Sequence, residues 1–192
     1  MPNFIKIWLI LNFVFSKMKI DKQKGEKRMN AITLFFTALN EKAVVPSKRP
    51  EDAGYDIYAC FEEETIEIRP HQTVLISTGV ASAFPMEVVA ILKERSSTGV
   101  RGIGVRAGVI DSGYRGEWKV PLTNHNQKTL YLTKTVDEVV ENETGIYYPY
   151  SKAICQALFI ELPQTKVETI LPEVLREMKS ERGEGGFGSS GK

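Results

Sequence analysis

Residues 65–80, TIEIRPHQTVLISTGV, decide the fold class. Thr65, Ile66, Glu67 and Ile68 alternate polar and apolar, the period of a strand with one buried face. Arg69-Pro70-His71 interrupts, and residues 73–80 resume as a run rich in β-branched and apolar side chains. Working outward, residues 87–93, 118–123, 129–133 and 153–162 repeat the habit. Phe84-Pro85, Asp111-Ser112-Gly113 and Asn124-His125-Asn126 supply turns between them. Many short strands at close spacing predict an all-β chain, a jelly-roll-like sandwich or barrel. Helical signal is sparse. Leu171, Val174, Leu175 and Met178 follow helical spacing with Pro172 at the start, which predicts a short C-terminal helix or turn. Residues 136–142 could form another turn or two of helix. Residues 182–192 (RGEGGFGSSGK) hold one aromatic among glycines and cannot pack a core alone, so they read as a flexible C-terminal arm.

The 192 residues suit one domain with appendages, and 42% hydrophobic content supports a core. With 25 Lys and Arg against 24 Asp and Glu, the net charge is +1. No basic field argues for nucleic acid, so any phosphate must be met locally. Cys60 and Cys155 are too few for a disulfide scaffold and fit a reduced, cytoplasmic setting. His71 and His125 lack companions at zinc-ligand spacing.

Residues 4–15 (FIKIWLILNFVF) are apolar but shorter than the roughly 20 residues a membrane span needs. No small-x-small cleavage site follows. Lys24-Gly25-Glu26 before Met29 can be encoded by a purine-rich stretch resembling a bacterial ribosome-binding site. Residues 1–28 are therefore expected to be a translated leader, with Met29 as the start. The competing reading is an anchor or signal.

Five short segments carry candidate chemistry: residues 53–59 (AGYDIYA), 94–102 (ERSSTGVRG), 107–117 (AGVIDSGYRGE), 151–158 (SKAICQAL) and 182–191 (RGEGGFGSSG). In the third, Gly108 and Gly113 flank Val109-Ile110 and Asp111. That pattern reads as a hairpin anchored by its apolar pair, with a carboxylate at the turn. Such an aspartate can simply cap its turn, or it can take a proton from a water within hydrogen-bond reach. In the second, Ser96, Ser97 and Gly99 offer hydroxyls and amides for an anion, and Arg95 adds a charge-assisted donor. In the fifth, glycines permit close backbone approach to phosphates.

In this order the five segments resemble the motifs of the trimeric dUTPase family, over residues 38–192. The resemblance implies that Asp111 activates the water that attacks the α-phosphorus of dUTP, yielding dUMP and pyrophosphate. It implies that the backbone around Gly108 and Ile110 reads uracil, and that Tyr114 packs under the deoxyribose. Arg95, Ser96, Ser97 and Gln156 would meet the phosphates. Arg182 would pair with the γ-phosphate. Phe187 would stack on the base, a contact of roughly 1–3 kcal/mol, with Gly188, Ser189 and Ser190 closing a lid that excludes water. Asp56 would anchor Arg95 or a metal-bound water. Mg²⁺ is the implied cofactor, held mainly by substrate phosphates. The implied assembly is a homotrimer with sites between subunits, and neither nucleic acid nor membrane is an expected partner. The expected domain is residues 29–181, with residues 182–192 as the lid arm.

Three features depart from the family pattern. Glu94 stands where proline commonly precedes the arginine. Ser151-Lys152-Ala153 replaces the usual glycine-acid-arginine opening. Residues 127–150 are longer than the usual connection and are expected to be an insertion near the rim, with Tyr147, Tyr148 and Tyr150 packing there. A related deaminase needs a glutamate about three residues before the position of Asn124; Pro121 there cannot transfer protons. A nucleotide sensor without turnover would have no use for Asp111.

Overall fold

The computed structural model describes residues 31–185. The expected leader, residues 1–28, and Phe187, Gly188, Ser189 and Ser190 lie outside them. In chain order the strands are β1 (Phe35–Ala38), β2 (Tyr55–Ile57), β3 (Thr65–Ile68), β4 (Thr73–Ser77), β5 (Val80–Ala83), β6 (Val88–Lys93), β7 (Ile103–Val105), β8 (Val109–Ile110), β9 (Lys119–Asn124), β10 (Leu130–Thr133), β11 (Val140–Glu141), β12 (Ile146–Pro149) and β13 (Cys155–Glu161). Helix α1 (Ser96–Gly99) follows β6, and α2 (Pro172–Glu177) lies near the C-terminus. The all-β expectation holds.

The strands form four hydrogen-bonded groups, ordered β1-β5, β11-β12-β10-β3, β2-β13-β6-β8 and β4-β9-β7. Period-2 alternation explains their packing. In β6, Val88, Ala90 and Leu92 point inward and are buried, while Lys93 at the end is exposed. Trp118 is fully buried, with Phe36 edge-on at 5.4 Å. Its indole N–H donates to Ser82 Oγ at 3.0 Å, so the ring's polar edge is satisfied inside the core. Each fully buried aliphatic side chain contributes about 1.5–3 kcal/mol, and Ile57, Ile68, Ile76, Leu122, Leu130 and Leu132 are all of this kind.

The buried Asn124 satisfies backbone that the sheets leave over. Its amide N–H groups donate to the carbonyls of Ile68 (2.9 Å) and Lys128 (2.8 Å), and its Oδ1 accepts from Asn126 N at 3.0 Å.

Several local expectations change. The run 73–80 is two strands, because Gly79 turns the chain at φ +67°, where a side chain would also strike Ala43. Residues 136–142 form no helix. Val140 pairs with Tyr147, and Asn142 Oδ1 accepts the amides of Thr144 and Gly145, which fixes a turn instead. The segment 127–150 does not sit wholly at the rim. β10 pairs with both β3 and β12, and Leu130, Leu132, Ile146 and Tyr148 are buried in the core. Tyr147 does lie outward, stacked on Tyr131 at 4.9 Å.

The β body ends at Leu162, and the chain from Pro163 forms a second unit. Within that unit, α2 has Pro172 in its first turn and exposes Leu171, Val174, Leu175 and Met178. No helix among the described residues is long and apolar enough to cross a membrane.

Candidate active site

The register of one sheet assembles the first cleft. β13 lies between β2 and β6, with Gln156 opposite Asp56 on one side and Lys93 on the other. Just past Lys93 the chain turns into α1, which brings Arg95, Ser96 and Ser97 to the end of the sheet. A short α-helical turn forms here because Thr98 closes it: its hydroxyl accepts from Arg95 N and donates to Arg95 O, both at 3.0 Å. Thr98 is buried, while Ser96 and Ser97 are exposed.

Arg95 is clamped by Asp56. Its Nε lies 2.9 Å from Asp56 Oδ1 and its Nη2 donates to Oδ2 at 3.4 Å, a two-pronged pair. Both side chains remain about one third exposed (32% and 34%), so the guanidinium still faces the cleft. Gln156 is held by donating its amide N–H to Glu94 O at 2.8 Å. Gly54 is required beside it, since a Cβ there would stand 2.2 Å from Gln156 Oε1. Together these residues line a cleft of about 730 Å³.

Sequence reading missed four more residues of this cleft, Ser47, Lys48, Arg49 and Asp52. Lys48 Nζ donates to Asp52 O at 2.6 Å and lies 5.6 Å from the Tyr55 ring centre, which shapes the loop. Arg49 pairs with Asp52 at 3.0 Å. The basic pair Lys48-Arg49 just before the first segment was the available signal. Glu94 also acquires a reason. Its carboxylate accepts the Val105 amide at 2.9 Å, which holds its pKa below the ordinary value. It thereby ties the α1 turn to β7.

The third segment lies elsewhere. β8 pairs with β6, whereas β9 pairs with β4 and β7. The expected hairpin is therefore a turn joining two different sheets. Of its apolar pair, Ile110 is buried and Val109 is 62% exposed. Asp111 is exposed at the turn, closed by Tyr114 N donating to Asp111 O at 3.0 Å. Gly108 passes so close to β6 that a Cβ would meet Leu92 O at 2.9 Å. Its own carbonyl accepts from Leu92 N at 2.7 Å. Tyr114 folds over Gly116 and donates its hydroxyl to Glu117 O at 3.0 Å. Glu117 in turn accepts the Gly79 amide at 2.9 Å, which pins the end of the segment to the body. Leu75, Val109, Ile110, Asp111 and Tyr114 border a second cleft of about 300 Å³.

One chain does not unite the two clefts. Ile110 is opposite Ala90 in the antiparallel register, so Asp111 leaves the sheet near the level of Val89. Arg95 lies beyond the other end of β6. At about 3.3 Å per residue, the two are roughly 15–20 Å apart.

Arg182 belongs to the second unit, where its Nε donates to Gly185 O at 2.7 Å. Among the described residues no three His, Cys, Asp or Glu side chains cluster to hold a metal. Both thiols are buried, and burial pushes both pKa values up. Cys155 is thus a core residue.

Residues 40–138 match the dUTPase family model. Deoxyuridine 5'-triphosphate nucleotidohydrolase of Debaryomyces hansenii is 32% identical over 179 residues, covering 92% of this chain and 98% of the relative. The Candida albicans protein of the same name is 35% identical over 171 residues, covering 88% and 94%. A solved variant of the Staphylococcus bacteriophage 80alpha dUTPase with dUpNHpp superposes with a TM-score of 0.67 at 26% identity, covering 83% of this chain and 99% of that one. By the family model and these relatives, the chain belongs to the dUTPase family.

Proposed function

We propose that this chain hydrolyses dUTP to dUMP and pyrophosphate, supplying dUMP for dTMP synthesis and keeping uracil out of DNA. The observation that carries the reading is the division of labour between the clefts. One presents Arg95, Ser96, Ser97 and Gln156, a donor-rich wall suited to phosphates. The other presents Asp111 beside Ile110, Val109 and Tyr114, a carboxylate next to an apolar face suited to a nucleoside.

Asp111 accepts the proton of the attacking water as the water's oxygen bonds the α-phosphorus. Ser96 and Arg95 take up charge developing on the leaving pyrophosphate. The backbone at Gly108 and Ile110 meets the uracil edge, and the Tyr114 ring lies against the deoxyribose. Arg182, Phe187, Gly188 and Ser189 close over the bound nucleotide from the arm.

Asp111 cannot reach a phosphate held at Arg95 of the same chain, so the working unit is an oligomer, a homotrimer by family. Each site then takes the Asp111 cleft of one subunit and the Arg95 cleft of a neighbour. Asp56 has both oxygens engaged by Arg95. It therefore fits a Mg²⁺ that arrives on the phosphates and is reached through water, rather than direct ligation. The ion supplies neutralisation of triphosphate charge. The cytoplasm is the setting consistent with two free, buried thiols.

Pyrophosphate release from dUTP is the test, with dCTP, dTTP and UTP as controls. Release from dUTP alone is expected. Comparable release from dCTP or UTP, or tight dUTP binding without release, overturns the reading.

A further inference from the structure

Tyr148 lies in the long 127–150 segment, which the proposed reaction leaves without a task. Its side chain is 2% exposed. β12 carries it into the body by pairing in parallel with β10, with Tyr148 opposite Leu132. Tyr150 N donates to Thr133 O at 2.7 Å and locks the strand's exit. The Tyr148 hydroxyl donates to the carbonyl of Ala153 at 2.8 Å. That same carbonyl accepts Arg95 Nη1 at 3.4 Å. Burial raises the Tyr148 pKa, and the nearby Arg95 charge acts against it. Ser151 and Lys152, which open the fourth segment, give Arg95 no side-chain support. Lys152 pairs with Glu138 instead.

We propose that Tyr148 is a positioning residue for Arg95. Its hydroxyl fixes the Ala153 carbonyl, and that carbonyl holds one prong of the guanidinium while Asp56 holds the others. The long segment thus inserts a rigid phenol beneath the phosphate cleft. An aromatic ring sets the position well because it has only two rotatable bonds and is packed in the core. This rests on the assignment of Arg95 to phosphate.

Tyr148→Phe in the full chain removes only the hydroxyl and keeps the packing. Calorimetric titration with inorganic tripolyphosphate and Mg²⁺ reads the phosphate cleft, and titration with deoxyuridine reads the nucleoside cleft. A lost hydrogen bond to a carbonyl that orients a charge should weaken tripolyphosphate about tenfold. Deoxyuridine binding should not change. In an Arg95→Ala background, Tyr148→Phe should have no further effect on tripolyphosphate, the signature of acting through Arg95. An undiminished tripolyphosphate affinity overturns the proposal, as does equal loss for both ligands or the same loss in both backgrounds. Failure of the wild type to bind tripolyphosphate also overturns it. These titrations need no turnover. A wild type that shows the expected binding pattern but spares dUTP removes the functional reading alone.

Discussion

Mixing two inactive variants should restore activity. Arg95→Ala damages the phosphate cleft, and Asp111→Asn damages the carboxylate at the second cleft. Within one chain these residues stand roughly 15–20 Å apart, set by the strand rise between the level of Val89 and Arg95. A general base works at about 3 Å from the proton it takes. No side-chain rotation closes that gap, so the proposed mechanism requires each site to draw the two residues from different subunits. Arg95→Ala also leaves Asp56 without its partner, but Asp56 is one-third exposed and water can solvate it. In an equal mixture co-refolded from denaturant, subunits of the proposed trimer assort at random. A site is intact when its Asp111 comes from the Arg95→Ala chain and its Arg95 from the Asp111→Asn chain. The chance is about one in four per site. The assay is pyrophosphate release per site, compared with wild type and with each variant refolded alone. About a quarter of the wild-type kcat is expected. A mixed sample no more active than its parents, with exchange confirmed by differently tagged chains, would refute the inter-subunit site.

Asp111→Asn alone should lower kcat by about 10²–10⁴-fold while dUTP affinity stays close to wild type; steady-state rates and titration read the two quantities separately. Trp118→Ala should destabilise the fold by about 3–5 kcal/mol, since it empties a fully buried ring site and orphans Ser82; denaturant midpoints measure this. Glu94 has a folded pKa below its ordinary value of 4.5, so its contribution to stability is present above that value and is lost as pH falls through the lower folded one. Glu94→Gln should therefore flatten the acid side of a stability-versus-pH curve and leave its neutral-to-alkaline side parallel to wild type.

Period-2 alternation and turn residues told the fold class because a half-buried sheet imposes its pleat on the sequence. Residues 65–68 show that rule directly. The site was legible as residue types: a carboxylate in a glycine-flanked turn, and an arginine with two serines. Strand boundaries followed less well. Gly79 splits an apolar run by turning at φ +67°, packed against Ala43 and Cys60, which are distant in sequence. Within the 136–142 stretch, Val140 and Glu141 became strand because Tyr147 and Ile146 were there to pair with. Local propensity carries no information about such partners.

By itself, the sequence determined the all-β character, the order of the chemical segments and the identity of their reactive groups, since these follow from local spacing and side-chain chemistry. Only the tertiary structure decided where those groups meet. The β6–β8 register sends Asp111 and Arg95 to opposite ends of one strand, and β12 threads Tyr148 beneath Arg95. Both facts come from hydrogen-bond pairing between segments far apart in the chain, and pairing partners are chosen by the whole packed core.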